Sequence, residues 1–262
     1  MDIQNKIVLI SGATGGIGAA LARRLIGEHC KLALVARRED QLKALTQEIQ
    51  KQDGECIYKT CDVKQKQDIA DAVEFIAGHY GRIDVAILTA GVLVPNPIET
   101  FDSTIIKDSM DINFLGNVYF IERLLSVMKK QKSGTIAAVS TLPDKRGVAG
   151  WGAYGASKAA LSWLMESLRA EAKQKYNINM ITIKPGSVQT PIIKDFPRRG
   201  AISPEKAADH IANGIKKEKK VIQFPLIQVI MTRLTDQFPA SAYDHLPIDL
   251  QKGEGYPPAE EK

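Results

Sequence analysis

The chain has 262 residues, 44% of them hydrophobic and 25% charged, a composition that suits a folded domain with one large core and excludes a fibre or a coreless chain. Its 35 Lys and Arg against 30 Asp and Glu leave a formal charge of +5, scattered rather than blocked, which is too little to point to nucleic acid. Three cysteines, Cys30, Cys56 and Cys61, form no CxxC pair and have no metal-like spacing to His29, His79, His210 or His245, which argues against a disulfide framework and a metal site.

The polar start, Met1-Asp2-Ile3-Gln4-Asn5, followed by an apolar stretch that stops at Ile10, fits no secretory leader and sets the expectation of a reduced, cytoplasmic protein. From residue 6 onward, short β-branched runs alternate with longer helical patterns. Strands are expected at Ile7 to Ser11, Leu32 to Ala36, Cys56 to Thr60, Val85 to Thr89, Thr135 to Val139, Met180 to Lys184 and Val221 to Phe224. Most are continuous apolar segments, as expected of parallel strands covered on both faces. Helices are expected over Ala19 to Ile26, from near Arg38, from near Gln67, through Ile105 to Lys130 and over Trp151 to Tyr176. Ser203-Pro204-Glu205 reads as an N-cap with proline in the first turn of a helix to about Lys216. Without repeats or a composition break, the expectation is one α/β domain over residues 1–250, a Rossmann-like, doubly wound parallel sheet of about seven strands. Residues 221–250 would be its substrate-side segment, and the Gly- and Pro-containing residues 251–262 a disordered tail.

Directly after the first strand stands Ser11-Gly12-Ala13-Thr14-Gly15-Gly16-Ile17-Gly18, a G-x-x-x-G-x-G turn opening a helix. Glycines let the backbone approach a pyrophosphate, and the helix N-terminus offers unpaired N–H groups. At the end of the second strand, where NAD-selective folds carry an acid, Ala36 is followed by Arg37-Arg38. Two cations beside a helix N-terminus lack a local helical reason, and a 2′-phosphate would supply one, so NADP(H) is expected over NAD(H), with Arg37 first and Arg38 in support. Farther on, Tyr154-Gly155-Ala156-Ser157-Lys158 puts a phenol and an ammonium at i and i+4, on one helical face. A nearby ammonium favours the phenolate, which makes the pair a candidate general acid and base.

These motifs, in this order, resemble the short-chain dehydrogenase/reductase family from Lys6 to about Phe224, with Ser11 where the family has threonine. The resemblance implies that Gly12, Thr14, Gly16, Ile17 and Gly18 hold the pyrophosphate, that Asp62 and Val63 contact the adenine, and that Ala90-Gly91 ends an Asn-Asn-Ala-Gly motif whose two asparagines are absent here. It implies that Tyr154 exchanges the proton, that Lys158 also bonds the nicotinamide ribose, and that Asn113 holds a water in a proton relay. The family's substrate-binding serine, thirteen residues before the tyrosine, falls on Thr141, with Ser140 as the alternative. Pro185-Gly186 begins a motif in which Val188 and Thr190 approach the nicotinamide or the phosphates. The implied reaction is hydride transfer between nicotinamide and a carbonyl or secondary alcohol, and the implied assembly is a homodimer or homotetramer.

Val92, Leu93, Val94, Pro95, Val148, Trp151, Ile192, Ile193 and Phe196 would surround the substrate, which suits a hydrophobic, even lipid-like, carbonyl compound better than a sugar. The rival reading is a non-catalytic NADP(H)-binding sensor, and it predicts loss of Tyr154 or Lys158. Beyond the motifs, Lys216, Lys217, Lys219 and Lys220 precede a stripe of Leu226, Ile227, Ile230, Met231, Leu234 and Phe238. That stripe has three readings: a helix over the pocket, a helix against a second subunit, or a peripheral membrane contact through residues 221–243.

Overall fold

The computed structural model describes residues 1–193 and 200–246. Seven parallel strands form one sheet: β1 (Ile7–Ser11), β2 (Lys31–Ala36), β3 (Cys56–Thr60), β4 (Val85–Leu88), β5 (Gly134–Val139), β6 (Ile178–Pro185) and β7 (Val221–Phe224), in the order β3-β2-β1-β4-β5-β6-β7. The register sets Ile10 beside Leu34 and Ile87, and Val139 beside Ile183. Every residue of β1 and β4 is buried, because both sheet faces are covered and alternate side chains enter different cores. Val8 and Ile10 pack with α1 (Gly16–Ile26), α2 (Glu39–Gln50) and α7 (Pro204–Lys216), whereas Leu9, Ile136 and Ala138 pack with α3 (Lys66–Tyr80), α5 (Gly116–Gln131) and α6 (Gly152–Tyr176).

The expected strands are all present, displaced at their ends by no more than two residues. Ser203 caps α7 as expected, its hydroxyl accepting from the Lys206 N–H at 3.3 Å, with Pro204 in the first turn. The single helix expected over Ile105 to Lys130 is instead α4 (Ser103–Met110) and α5, joined by a π-helical turn at Asp111–Leu115. The apolar spacing runs through that turn almost unbroken, so periodicity does not reveal it; such widened turns occur frequently at functional sites. After β7 the chain forms α8 (Leu226–Asp236) and α9 (Ala240–Asp244). Residues 251–262, expected as a tail, and Phe196 lie outside the described residues.

Among the described residues no helix is long and apolar enough to cross a membrane. The three cysteines are free and buried, and burial pushes their thiols up to about 12 for Cys30, about 11 for Cys56 and about 12 for Cys61, far from reactive thiolates.

Candidate active site

Strand order reverses between β1 and β4: the chain leaves β1 toward β2 on one side, and β4 leads to β5 on the other. The crevice this opens at the carboxyl ends of the strands is where a doubly wound sheet binds ligands. Here it is a cleft of about 810 Å³. Its walls bring together the glycine turn, Arg37 and Arg38, Asp62 and Val63, Ala90 and Gly91, Ser140 and Thr141, Tyr154 and Lys158, and Pro185, Gly186, Val188 and Thr190. Of the described residues expected at the site, Asn113, Val94 and Pro95 do not line it directly; Val94 and Pro95 lie outside the substrate wall in which they were expected.

At the β1–α1 turn, Gly12 has φ +67°, and a Cβ there would come within 2.7 Å of the Ala90 nitrogen. A Cβ on Gly16 would strike Thr190, 2.5 Å away, which places Thr190 directly over the turn. Helix α1 has Gly15 as N-cap and no side-chain cap, so its first N–H groups face the cleft end unsatisfied by the chain. Ser11 occupies the family's threonine position, and Thr89, at the place of the second asparagine of Asn-Asn-Ala-Gly, bridges β4 to β1, its hydroxyl donating to the Ser11 carbonyl at 2.6 Å. One short hydroxyl thus links the two strands where both asparagines are absent.

Arg38 folds over the turn, donating to the Thr14 carbonyl at 2.9 Å and the Thr14 hydroxyl at 3.1 Å. Arg37 is exposed and makes no ion pair among the described residues. Asp62 is held by its own turn, its carboxylate accepting from the Lys64 N–H at 3.0 Å.

The opposite wall is built from β5, α6 and the π-helical turn. Lys158 is 3% exposed; its Nζ donates to the Val139 carbonyl at 2.7 Å, and among the described residues no carboxylate lies within ion-pair distance. Burial brings its pKa down to about 8. Two ammonium hydrogens are left without described partners in a site that opens to the cleft. Gly91 makes room for this group, since a Cβ there would sit 3.2 Å from Lys158 Nζ and 3.1 Å from Asn113 Oδ1.

Asn113 is fully buried and clamps residue 92, accepting from the Val92 N–H at 2.8 Å and donating to the Val92 carbonyl at 3.0 Å. Its second amide hydrogen goes to Ser157 Oγ at 3.0 Å. Both amide hydrogens are therefore committed, so a relay water could meet this side chain only by donating to Oδ1, and the π-helical turn aims the amide at the Gly91-Val92 backbone.

Ser140 and Thr141 divide as strand alternation requires. The Ser140 hydroxyl donates to the Lys158 carbonyl at 2.9 Å and meets Ser162 Oγ at 2.7 Å, inside the α6 packing. Thr141 is 7% exposed, lines the cleft and has no described hydrogen-bond partner.

Gln228 and Arg146 are among the lining residues not singled out from sequence. Gln228 of α8 accepts from the Ser187 N–H at 2.8 Å and donates to the Gly200 carbonyl at 3.0 Å, pegging α8 to the Pro185-Gly186-Ser187 loop. Its signal was available, as the one polar residue inside the Leu226 to Met231 run. Arg146, in the loop between β5 and α6, carried none.

A family model described as short chain dehydrogenase matches residues 6–199. The chain belongs to the short-chain dehydrogenase family. Among similar members of this family is an uncharacterised oxidoreductase of Listeria monocytogenes, 32% identical over 234 residues, covering 84% of this chain and 94% of the relative. A fatty acyl-CoA reductase of Acinetobacter baylyi is 31% identical over 226 residues, covering 84% of this chain and 76% of that one. Among solved structures, a levodione reductase superposes with a TM-score of 0.79 at 24% identity, covering 87% and 99% of the two chains. An actinorhodin polyketide ketoreductase with NADPH gives 0.76 at 23%, covering 84% and 95%. As a short-chain dehydrogenase, the protein is an oxidoreductase on a Rossmann-like fold.

Proposed function

We propose that this short-chain dehydrogenase uses NADP(H) to interconvert a carbonyl and a secondary alcohol on a largely apolar substrate. The observation that carries the reading is one cleft joining a glycine-rich helix start without a side-chain cap and, among the described residues, an arginine without an ion pair just past β2 and a buried ammonium without a counter-ion. Each is an electrostatic deficit of the kind that a dinucleotide phosphate or its ribose hydroxyls would satisfy. Gly12, Thr14, Gly16, Ile17 and Gly18 would hold the pyrophosphate, Arg37 and Arg38 the 2′-phosphate, Asp62 and Val63 the adenine, Ala90 and Gly91 the adenosine side, and Val188 and Thr190 the nicotinamide end with Pro185 and Gly186.

The bound nicotinamide supplies or accepts the hydride. Tyr154 gives the proton to the substrate oxygen or takes it back, Thr141 orients that oxygen through its hydroxyl, and Lys158 favours negative charge on neighbouring oxygens. Asn113 acts as a positioning residue, holding the backbone at residue 92 beside Lys158. Apolar Val92, Leu93, Val148, Ile192 and Ile193 line the substrate side and favour a hydrophobic compound. Fluorescence titration tests the cofactor: NADPH is expected to bind at least about tenfold tighter than NADH, a difference of about 1.4 kcal/mol. Equal affinities would overturn the assignment of Arg37.

The α8 surface belongs to the same reading. Leu226 and Ile227 are 74% and 63% exposed beside the cleft mouth, but β7 runs parallel to β6, so Lys217, Lys219 and Lys220 sit at its far end, and Lys216 is paired with Glu28 at 2.8 Å. The membrane contact we propose is therefore apolar and made by α8 alone. Flotation with liposomes that is insensitive to salt is expected, and protein that stays unbound would refute it.

A further inference from the structure

The substrate end of the cleft contains a cation that nothing in the fold requires. Arg146 leaves the loop between Thr141 and α6, lines the cleft and is half-buried. Its guanidinium lies over the Tyr243 ring, 5.1 Å from the centroid, and one nitrogen makes a long 3.5 Å bond to the Asp236 carbonyl at the end of α8. Tyr243 in turn donates to the Gly147 carbonyl at 2.8 Å, which fixes the ring against the same loop. Stacking holds the guanidinium plane but uses none of its in-plane N–H groups.

The nearby carboxylates do not neutralise it. Asp144, two residues earlier, is buried and committed to Lys184 at 2.5 Å. Asp236 lines the cleft, yet its carboxylate is not within ion-pair distance of Arg146, and its Oδ1 is buried without a hydrogen-bond partner. Burial lifts the Asp236 carboxyl above its ordinary value, against the pull of Lys145 and Arg146. Among the described residues, Arg146 thus has no ion-pair partner at all. A planar, preoriented guanidinium beside the apolar Val148, Ile192 and Ile193 of the cleft is built to receive an oxyanion.

We propose that the substrate is an amphipathic carbonyl compound carrying an anionic group, a carboxylate or a phosphate, which Arg146 binds while the apolar wall takes the chain. This rests on the reductase reading and narrows it from any hydrophobic carbonyl to one with an acidic end. Arg146 would be a specificity-determining residue: its charge-assisted pair holds the acid in place before and during hydride transfer, so its loss should appear mainly in KM.

The test compares a medium-chain γ-oxo carboxylate with its methyl ester, using NADPH oxidation by the full chain and by Arg146→Met and Arg146→Lys. Wild type should favour the acid in kcat/KM by roughly ten- to a hundredfold, the worth of one hydrogen bond to a charged group. Arg146→Met should bring the ratio of acid to ester near one, and Arg146→Lys should restore part of it. If Arg146 only packs α9 against the loop, Arg146→Met lowers both substrates alike and the ratio stays, which would overturn the proposal. A ketone bearing a terminal phosphate monoester, run beside the acid, shows which oxyanion the site prefers.

Calorimetry with the saturated fatty acid of the same length and the NADPH-loaded protein separates the two readings. Arg146-dependent binding without turnover of any carbonyl compound would refute the reductase and leave the anion site standing. Turnover with equal use of acid and ester, and no Arg146-dependent binding, would refute the anion site and leave the reductase standing.

Discussion

A buried ammonium with one carbonyl partner costs folding energy, and its pH dependence follows from that cost. Lys158 has a pKa of about 8 in the fold against 10.5 in the open chain. Below about pH 8 both states hold the proton and the burial penalty is complete. Between about 8 and 10.5 the unfolded chain keeps a proton that the folded protein has released, so stability rises with pH, by up to an amount on the order of 3 kcal/mol. Chemical denaturation of the cofactor-free protein and of Lys158→Met should show the stability difference moving toward wild type as pH climbs through that window. A difference that does not change with pH would mean that the ammonium is solvated. The two hydroxyls just past β5 are separable at the same scale. Thr141→Ala should lower kcat by one to two orders of magnitude with little change in melting temperature. Ser140→Ala, which removes a buried hydroxyl pair with Ser162, should cost about 1 kcal/mol of stability and leave turnover within a few-fold. Reversed effects would exchange their roles.

At the level of elements, α8 is lightly held yet placed against the cleft. It buries one apolar side chain, Val229, and turns Gln228, Met231, Thr232 and Thr235 toward the cleft at helical spacing. Gln228 ties this wall to the backbone of the Pro185-Gly186-Ser187 loop, and a Cβ on Gly186 would collide with the Gln228 amide. Gln228→Ala should therefore raise KM for substrate several-fold and loosen NADPH binding modestly, while Gly186→Ala should do both more strongly, as measured by steady-state kinetics and titration. Unchanged KM values in both would show that α8 docks by other contacts. The stripe of Leu226, Ile227, Ile230, Met231, Leu234 and Phe238 was readable as an amphipathic helix, but periodicity does not say what covers a face. In the fold only Met231 of these reaches the cleft, and the others point outward. The π-helical turn was hidden for a related reason: one extra residue in a turn barely disturbs apolar spacing, yet it sets the direction in which Asn113 points.

Across the whole molecule, what could be read early is what local chemistry dictates. Seven apolar runs separated by helical spacing leave a doubly wound parallel sheet as the economical fold, and the glycine turn, the Arg37-Arg38 pair and the Tyr154–Lys158 spacing mark positions along strands whose ends converge in such a sheet. Arg146 could not be found that way, because its meaning lies in Tyr243 and Asp236, about ninety residues later in the chain and adjacent only after α8 and α9 fold back over the loop. Thr89, standing where the family has an asparagine, likewise shows its role only through the β1–β4 pairing, which puts its hydroxyl beside the Ser11 carbonyl. The most direct measurement of the central claim is NADPH oxidation across a panel of apolar and amphipathic ketones and aldehydes, by wild type and by Tyr154→Phe. The account predicts turnover of at least one such compound by wild type, a loss of about a hundredfold or more in Tyr154→Phe, and little change in NADPH affinity. A Tyr154→Phe protein that kept most of its kcat, or a wild type that bound NADPH and reduced nothing in the panel, would contradict it.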